Sequence, residues 1–237
     1  IGPVREGERI IYEGLPYEVK AINVYSVLRN PRLESIIRLP LRTLSDMVSR
    51  PCKEEPWFPT SAGDYVLLPD QSFGQVLRQT PENVELKVLG GMTQLHRSAD
   101  FYALGVKNIS GGEAFIVAVT FGIDYSHQAI SQDEVVPKLR EALQSSFGAA
   151  DYSEQVRDLF VEFKEAAASS LDYLIIVTMS ATAASSYYAV GRRVQQTCVA
   201  LCNRESWGIP FAQLTVHQGE GFDALRAATA PSLENRN

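Results

Sequence analysis

Short stretches of alternating apolar and polar residues fill the first hundred residues of the chain. The clearest are RIIYEG (9–14), YEVKAINVYSV (17–27) and VELKVLG (84–90), and Gly, Pro, Asn and Asp separate such stretches. An alternation with a period of two is typical of strands that bury one face, and the separating residues are those that form tight turns. The pattern therefore predicts that the first half of the chain consists of short β-strands.

These predicted strands form an internal repeat in which residues 4–47 align with residues 60–104 at an offset of 56 to 57. Each unit opens with a glycine and an acid, and apolar positions recur at the same places. The aligned positions are Gly7-Glu8 with Gly63-Asp64, Ile10 with Val66, Val19 with Val76, and Leu44 with Phe101. Each unit holds four or five short strands, a pattern that predicts a small SH3-like or Sm-like barrel. Three prolines between the units predict a stiff linker without regular structure.

The second half of the chain alternates between strand and helix patterns. Strands are predicted at 114–121, 157–165, 172–180 and 210–218, and the last of these is entered through Gly208 and Pro210. The first helix is predicted to begin at a capping box, Ser131 to Glu134, and to end at Gly148; the second is predicted over about 182–203. The order βαββαβ is the ferredoxin-like one, with an antiparallel sheet and both helices on one face.

The predicted fold class is therefore α+β, with two tandem small SH3/Sm-like β-barrel domains followed by a ferredoxin-like βαββαβ domain. The corresponding division is a first β-domain, a Pro-rich linker, a second β-domain, the ferredoxin-like α/β domain and a flexible C-terminal tail. Their boundaries are, in that order, 1–50, 51–60, 61–110, 111–218 and 219–237.

Composition and charge narrow the class of protein. With 45% hydrophobic and 21% charged residues, the 237-residue chain is globular, and its formal charge of −6 disfavours nucleic-acid binding. The longest apolar runs, 114–121 and 173–179, are far shorter than the ~20 residues of a membrane helix. The chain begins at Ile1 without a signal-like segment, so we expect a fragment or a processed form.

The candidate chemistry is sparse. Cys198 and Cys202 lie four residues apart on the second predicted helix, but the histidines are scattered singly, so core positions are favoured over a metal site. No nucleophile motif and no phosphate-binding glycine loop is present in the sequence. Tyr187 and Tyr188 are typical of core or subunit-interface aromatics, with ligand stacking as the alternative. We therefore expect no catalytic residues, no metal, no cofactor and no enzymatic activity.

Four local motifs in a fixed order resemble the cytoplasmic domain of the small-conductance mechanosensitive channel (MscS) family. The motifs that carry the resemblance are Gly63-Asp64-Tyr65-Val66 with Phe73-Gly74-Gln75-Val76, then Asn108-Ile109-Ser110, then Phe121-Gly122-Ile123-Asp124, and then GIPFAQLTV (208–216), which keeps Gly208, Pro210 and Gln213. The sequence departs from the family at Leu95-His96-Arg97, in an insert from Tyr125 to Ser131, and in having two β-domains where the usual member has one. The closing motif also differs, because two residues are deleted and Ala212 replaces a proline.

The resemblance implies a homo-oligomer, heptameric in the family, on the cytoplasmic side of the cell membrane. Its β and α/β domains would enclose a hollow vestibule below N-terminal membrane helices that this chain lacks. Ions and small solutes would pass through side openings near the junction of the two domains during osmotic stress. The portal or vestibule-lining candidates are Lys107, Asn108, Ser110, Gly111 and Gly112. The alternative for this segment is a linker without a pore role.

Two other interpretations of the whole chain stay open from the sequence. Barrel and ferredoxin-like modules also build soluble oligomeric scaffolds and small-molecule sensing modules without channel activity. The predicted Sm-like shape by itself suggests an RNA binder, which the acidic charge disfavours.

Overall fold

The computed structural model describes residues 3–52 and 54–210 and has a mixed α+β fold with three antiparallel sheets in that part of the chain. The first sheet has the order β1-β2-β3-β4 and is followed by one helical turn. Its elements are β1 (Arg9–Tyr12), β2 (Leu15–Ala21), β3 (Tyr25–Arg29), β4 (Ile37–Pro40) and α1 (Leu41–Ser45). As the alternation predicts, apolar positions such as Val19 and Leu28 are fully buried.

The second sheet has the order β8-β7-β6-β5-β9. Its elements are β5 (Tyr65–Leu67), β6 (Phe73–Gln79), β7 (Asn83–Val88), β8 (Thr93–Arg97), α2 (Ser98–Ala103) and β9 (Lys107–Asn108). After α2 the chain returns to pair with β5 through Lys107 and Asn108. The first sheet has a counterpart of this return, because Arg50 forms an isolated bridge with Arg9 of β1.

The two repeats make equivalent backbone hydrogen bonds. The Gly7 N–H donates to the carbonyl of Val19 at 2.8 Å, and the Gly63 N–H donates to the carbonyl of Val76 at 2.7 Å. Both glycines have positive φ, 78° and 94°, which explains why each unit opens with glycine. The aligned apolar residues are also buried together, since Leu44 is 1% and Phe101 0% exposed.

The two β-sheets share one hydrophobic core. Residues of the first sheet, the second sheet and the connection between them belong to a single buried cluster. Phe58, in the predicted linker 51–60, is 4% exposed, and its ring stacks on that of Phe101 at 6.1 Å. The described residues of this connection form no helix or strand, as its prolines predict, but the segment is packed into the core and does not act only as a spacer.

The third unit is a sheet of order β10-β12-β11 covered by two helices, α3 and α4. Its elements are β10 (Ala114–Ile123), α3 (Val135–Gly148), β11 (Val156–Ala166), β12 (Leu171–Ser180) and α4 (Tyr187–Glu205). The strands and helices of this unit follow the predicted order. The predicted closing strand 210–218, from residue 211 on, and the predicted tail 219–237 lie outside the described residues.

Two predicted helix starts are wrong. The capping box does not form, because α3 begins at Val135 and the Ser131 hydroxyl donates to the carbonyl of Gln128 at 2.8 Å. That contact belongs to the end of a 3₁₀ turn over Tyr125–Ile130, the predicted insert. The second helix begins at Tyr187, after a further 3₁₀ turn. In both cases the predicted first turn is 3₁₀ or irregular, which local sequence signals do not separate from α-helix.

Candidate functional site

The segment that leaves the second sheet is tied to the start of that sheet by three side chains. The Asn108 side-chain amide donates to the Asp64 carboxylate at 2.7 Å and to the carbonyl of Pro59 at 3.2 Å. The Ser110 hydroxyl donates to the other carboxylate oxygen of Asp64 at 3.3 Å and accepts from the N–H of Tyr65 at 2.8 Å. The Gly-Asp and Asn-x-Ser motifs, 44 residues apart in sequence, therefore form one polar cluster.

The five portal candidates have different surroundings. Asn108 and Ser110 are half-buried and use their side chains in the cluster with Asp64, whereas Lys107, Gly111 and Gly112 are exposed. Gly111 lies against the cluster, since a Cβ placed there would lie 2.6 Å from the Asn108 side-chain nitrogen. The structure thus divides these candidates into residues that fix the segment and residues that face solvent.

A stack of aromatic rings lies beside this cluster. The rings of Tyr65 and Phe73 are 5.7 Å apart and nearly parallel, and those of Phe73 and Tyr187 are also 5.7 Å apart and nearly parallel. The Tyr188 hydroxyl donates to the carbonyl of Gln71 at 2.7 Å. Since α4 carries both tyrosines, they pack the α/β unit against the second sheet within the chain.

The other two motifs of the resemblance also contact each other. The Asp124 N–H donates to the carbonyl of Gly208 at 2.9 Å, and the Gly208 N–H donates to Nε2 of His127 at 2.9 Å. Hydrogen bonds from Ser126 hold the pKa of the Asp124 carboxyl below its usual value. A Cβ at Gly208 would lie 3.2 Å from the Asp124 Cβ, so a small residue suits this close approach.

The remaining motif residues have packing roles or are not described. Gly74 of β6 is buried, and a Cβ there would lie 3.1 Å from the carbonyl oxygen of Lys87 on β7. Gly63 forms the turn that opens the second repeat, with φ of 94°. Pro210 is half-buried at the end of the described chain, and Gln213 lies outside the described residues.

The cluster of Asp64, Asn108 and Ser110 and the aromatic stack together form the junction between the second sheet and the α/β unit. Within residues 3–52 and 54–210, no group of three His, Cys, Asp or Glu side chains could hold a metal ion. Cys198 and Cys202 are fully buried in the α/β core, and burial raises the pKa of their thiols to about 12 and about 11. In the same described ranges, no helix is both long enough and apolar enough to cross a membrane.

The contacts that join these motifs have no signal in the sequence. The Gly-Asp and Asn-x-Ser motifs are each recognisable alone, and no local pattern indicates that their side chains touch. Tyr65 and Phe73 occur inside the motifs, so the sequence shows that two aromatic residues lie there. Their stacking on Tyr187 depends on how the α/β unit docks, which the period of apolar residues along the chain does not determine.

The described fold is similar to that of solved MscS-type structures. Closed-state MscS of Helicobacter pylori matches with a TM-score of 0.50 and 13% identity, over 68% of this chain and 60% of that chain. Two cryo-EM structures of MSL1 of Arabidopsis thaliana give TM-scores of 0.45 and 0.42, at 12% and 13% identity; each covers 65% of this chain, and 52% and 54% of MSL1. No protein-family model matches the chain, and no curated protein sequence matches it either.

At 13% identity the similarity to H. pylori MscS shows the fold alone, which is an MscS-like mixed α+β fold with several antiparallel sheets. The match spans less than two thirds of the H. pylori chain.

Proposed function

We propose that this chain forms the cytoplasmic vestibule of an MscS-type mechanosensitive ion channel. In this proposal it assembles as a homo-oligomer, a heptamer as the sequence resemblance implies, and encloses a cage below membrane helices on the cytoplasmic side of the cell membrane. Ions and small solutes cross the cage when the channel opens to relieve osmotic pressure. The protein has no enzymatic role and needs no cofactor.

One observation carries the proposal. The four motifs that resemble the MscS family form two hydrogen-bonded pairs, Asp64 with Asn108 and Ser110, and Asp124 with Gly208. Both pairs occur in a fold that resembles a solved MscS structure. Motifs that match by chance have no reason to meet in space, so this pairing favours a common architecture over coincidence.

The finer architecture belongs to the same proposal. Two SH3/Sm-like β-domains, divided from each other and from a ferredoxin-like domain at the boundaries predicted from the sequence, would make the cage wall taller by one β-layer. The order β10-β12-β11, with the central strand antiparallel to both neighbours, is the order that a ferredoxin-like sheet requires of its first three strands. The fourth strand remains a prediction for residues 210–218.

The segment 107–112 is proposed to border the side openings of the cage. Asn108 and Ser110 fix its course through Asp64, and Lys107 then presents a charged group to solvent at the junction. A passage selects ions by its width and by the charges that line it. The formal charge of −6 per chain, repeated around a symmetry axis, raises the cation concentration wherever the acids face the enclosed space.

Oligomeric state is the first test of this function. Light scattering coupled to size-exclusion chromatography is expected to give about seven times the chain mass of 26.2 kDa, and negative-stain microscopy is expected to show rings. A stable monomer at high protein concentration, together with an absence of rings, would contradict the proposal and favour a soluble module.

Channel activity requires the full-length protein that contains this chain. Patch-clamp recording after reconstitution is expected to show stretch-activated currents, whereas a scaffold or sensing module would give none. The portal assignment is tested by Lys107→Glu, which should shift the reversal potential toward cation preference under asymmetric salt. The matched control is Lys20→Glu, an exposed site on the first sheet. Equal effects of the two variants would count against a portal at Lys107.

A further inference from the structure

A cleft of about 700 Å³ lies between the two β-repeats. One wall comes from the β1–β2 hairpin and the start of β4, and the other comes from the β6–β7 turn, the end of β8 and α2. Its lining residues are Tyr12, Glu13, Leu15, Tyr17, Ile37, Pro81, Glu82, Asn83, Arg97 and Ala99. The volume falls within the range of small-molecule sites. Because both repeats contribute a wall, the cleft is a product of the duplication and lies apart from the junction described above.

Tyr17 is the residue that points to a ligand. Its side chain is 2% exposed, yet it lines the cleft, and within the described ranges its hydroxyl has no hydrogen-bond partner. Burial raises the pKa of this hydroxyl, and the carboxylates of Glu82 and Glu13 raise it further. The group therefore stays protonated, and because it is not among the side-chain atoms shielded from solvent, it is a donor that the protein leaves open to the cleft.

The charged side chains that line the cleft are exposed to solvent. Glu13 lies in the β1–β2 turn at φ of 47°, and Glu82 lies in the β6–β7 turn. In the part of the chain that the structure describes, neither carboxylate has an ion-pair partner, and the same holds for Arg97. Glu13 and Glu82 line the cleft with Tyr17 and raise the pKa of its hydroxyl, and Arg97 lines the same cleft without forming an ion pair with either acid.

We propose that this cleft binds a small organic zwitterion that carries a primary ammonium group and a carboxylate. The ammonium group lies between Glu13 and Glu82, the carboxylate pairs with Arg97, and the Tyr17 hydroxyl donates to an acceptor of the ligand. Apolar walls from Leu15 and Ile37 accommodate the aliphatic part. This inference goes beyond the proposed channel function and does not depend on it, since a cage wall and a soluble sensor could both carry such a site.

The test is direct binding to the whole chain, measured by isothermal titration calorimetry with three related probes. L-lysine has both charged groups, cadaverine has the ammonium groups without the carboxylate, and glutarate has carboxylates without an ammonium group. Saturable binding is expected for L-lysine, weaker binding for cadaverine, and none for glutarate. The oligomeric state does not enter this readout, so its failure and the failure of the channel proposal are distinguishable.

Variants locate the binding to the cleft. Glu82→Gln is expected to lower the binding affinity for L-lysine and for cadaverine by about tenfold, because a hydrogen bond to a charged group is lost. Arg97→Gln should lower the binding affinity for L-lysine and leave the affinity for cadaverine unchanged. Tyr17→Phe keeps the buried ring and removes only an unpartnered hydroxyl, so the variant should fold and bind L-lysine more weakly. The matched control is Glu85→Gln, an acid on β7 that does not line the cleft.

The outcomes that would overturn the proposal are specific. Absence of binding by both amines at millimolar concentrations would refute the site, and so would binding of glutarate alone. Equal L-lysine affinity in the wild type, Glu82→Gln and Tyr17→Phe would place the binding elsewhere. Cadaverine binding as tight as that of L-lysine, with no effect of Arg97→Gln, would refute the zwitterion assignment.

Discussion

Two neighbouring glycines at the junction should respond in opposite ways to alanine. Gly111 and Gly112 are both exposed and neither has positive φ, so backbone conformation does not distinguish them. Their surroundings do. A Cβ at Gly111 would lie 2.6 Å from Nδ2 and 2.7 Å from Cγ of Asn108, whereas a Cβ at Gly112 would have the carbonyl oxygen of Ala114 as its nearest neighbour, at 3.8 Å. We expect Gly111→Ala to destabilise the protein and Gly112→Ala to leave its stability unchanged or slightly raised.

The magnitude follows from the hydrogen bonds that Asn108 would lose. In Gly111→Ala its side chain must move away from the added methyl group, and that movement breaks the 2.7 Å contact with Asp64 and the 3.2 Å contact with Pro59. Since this region is half-exposed and water can replace part of the loss, the two bonds together contribute about 2 kcal/mol. Replacing glycine by alanine recovers about 0.5 kcal/mol by restricting the unfolded chain. The net expectation is a loss of about 1–2 kcal/mol for Gly111→Ala.

The assay is urea unfolding followed by the fluorescence of Trp57 and Trp207, which report on the connection between the β-sheets and on the α/β unit. A double-mutant cycle isolates the cause, because Gly111→Ala should add no penalty once Asn108 is replaced by alanine. Equal stability of the two glycine variants would refute the reasoning. A Gly111→Ala penalty that persists in the Asn108→Ala background would refute it as well.

Further predictions concern the buried cores and the aromatic stack. Leu44→Ala and Phe101→Ala remove equivalent residues of the two repeats and should each lower the free energy of unfolding by about 3 kcal/mol, measured by urea denaturation. Phe73→Ala removes the middle ring of the aromatic stack between Tyr65 and Tyr187. Because this side chain is half-buried, the change should lower the free energy of unfolding by about 2 kcal/mol. Burial raises the thiol pKa of Cys198 to about 12 and of Cys202 to about 11, so both stay protonated in the fold while unfolded thiols ionise near 9.0. Stability is therefore expected to fall as the pH rises from about 9 to about 12, with a shallower fall in Cys198→Ala; identical profiles would contradict this.

The strands and the repeat could be predicted because their causes are local. Alternation of apolar and polar residues sets which face of a strand is buried, and the sheets bury Val19 and Val76 as the alignment requires. The glycines that open the repeats, Gly7 and Gly63, are identifiable because each supports a backbone conformation with positive φ that other residues rarely adopt. Each of these requirements restricts the residue type at the position where it acts, so it can be recognised in the sequence.

Other features could not be predicted because they depend on distant partners. The Ser131 to Glu134 spacing fits a capping box, but the 3₁₀ turn before it takes the Ser131 hydroxyl. Three prolines around Phe58 indicate a linker, and nothing local shows that its ring is buried in a core shared by two sheets. The cleft at Tyr17 is formed by two repeats facing each other, so neither repeat alone contains its signal.

The second β-sheet contributes to both hydrophobic cores of the described chain. Val66 and Leu67 are successive residues of β5, so their side chains point to opposite faces of the sheet. Val66 lies in the core shared with the first sheet, whereas Leu67 lies in the core of the α/β unit. Strand β5 is therefore common to both cores, and the cluster of Asp64 and Asn108 lies next to it. A ligand in the cleft between the sheets would stabilise the core that those sheets share, and in a channel vestibule the segment 107–112 would lie beside the other core.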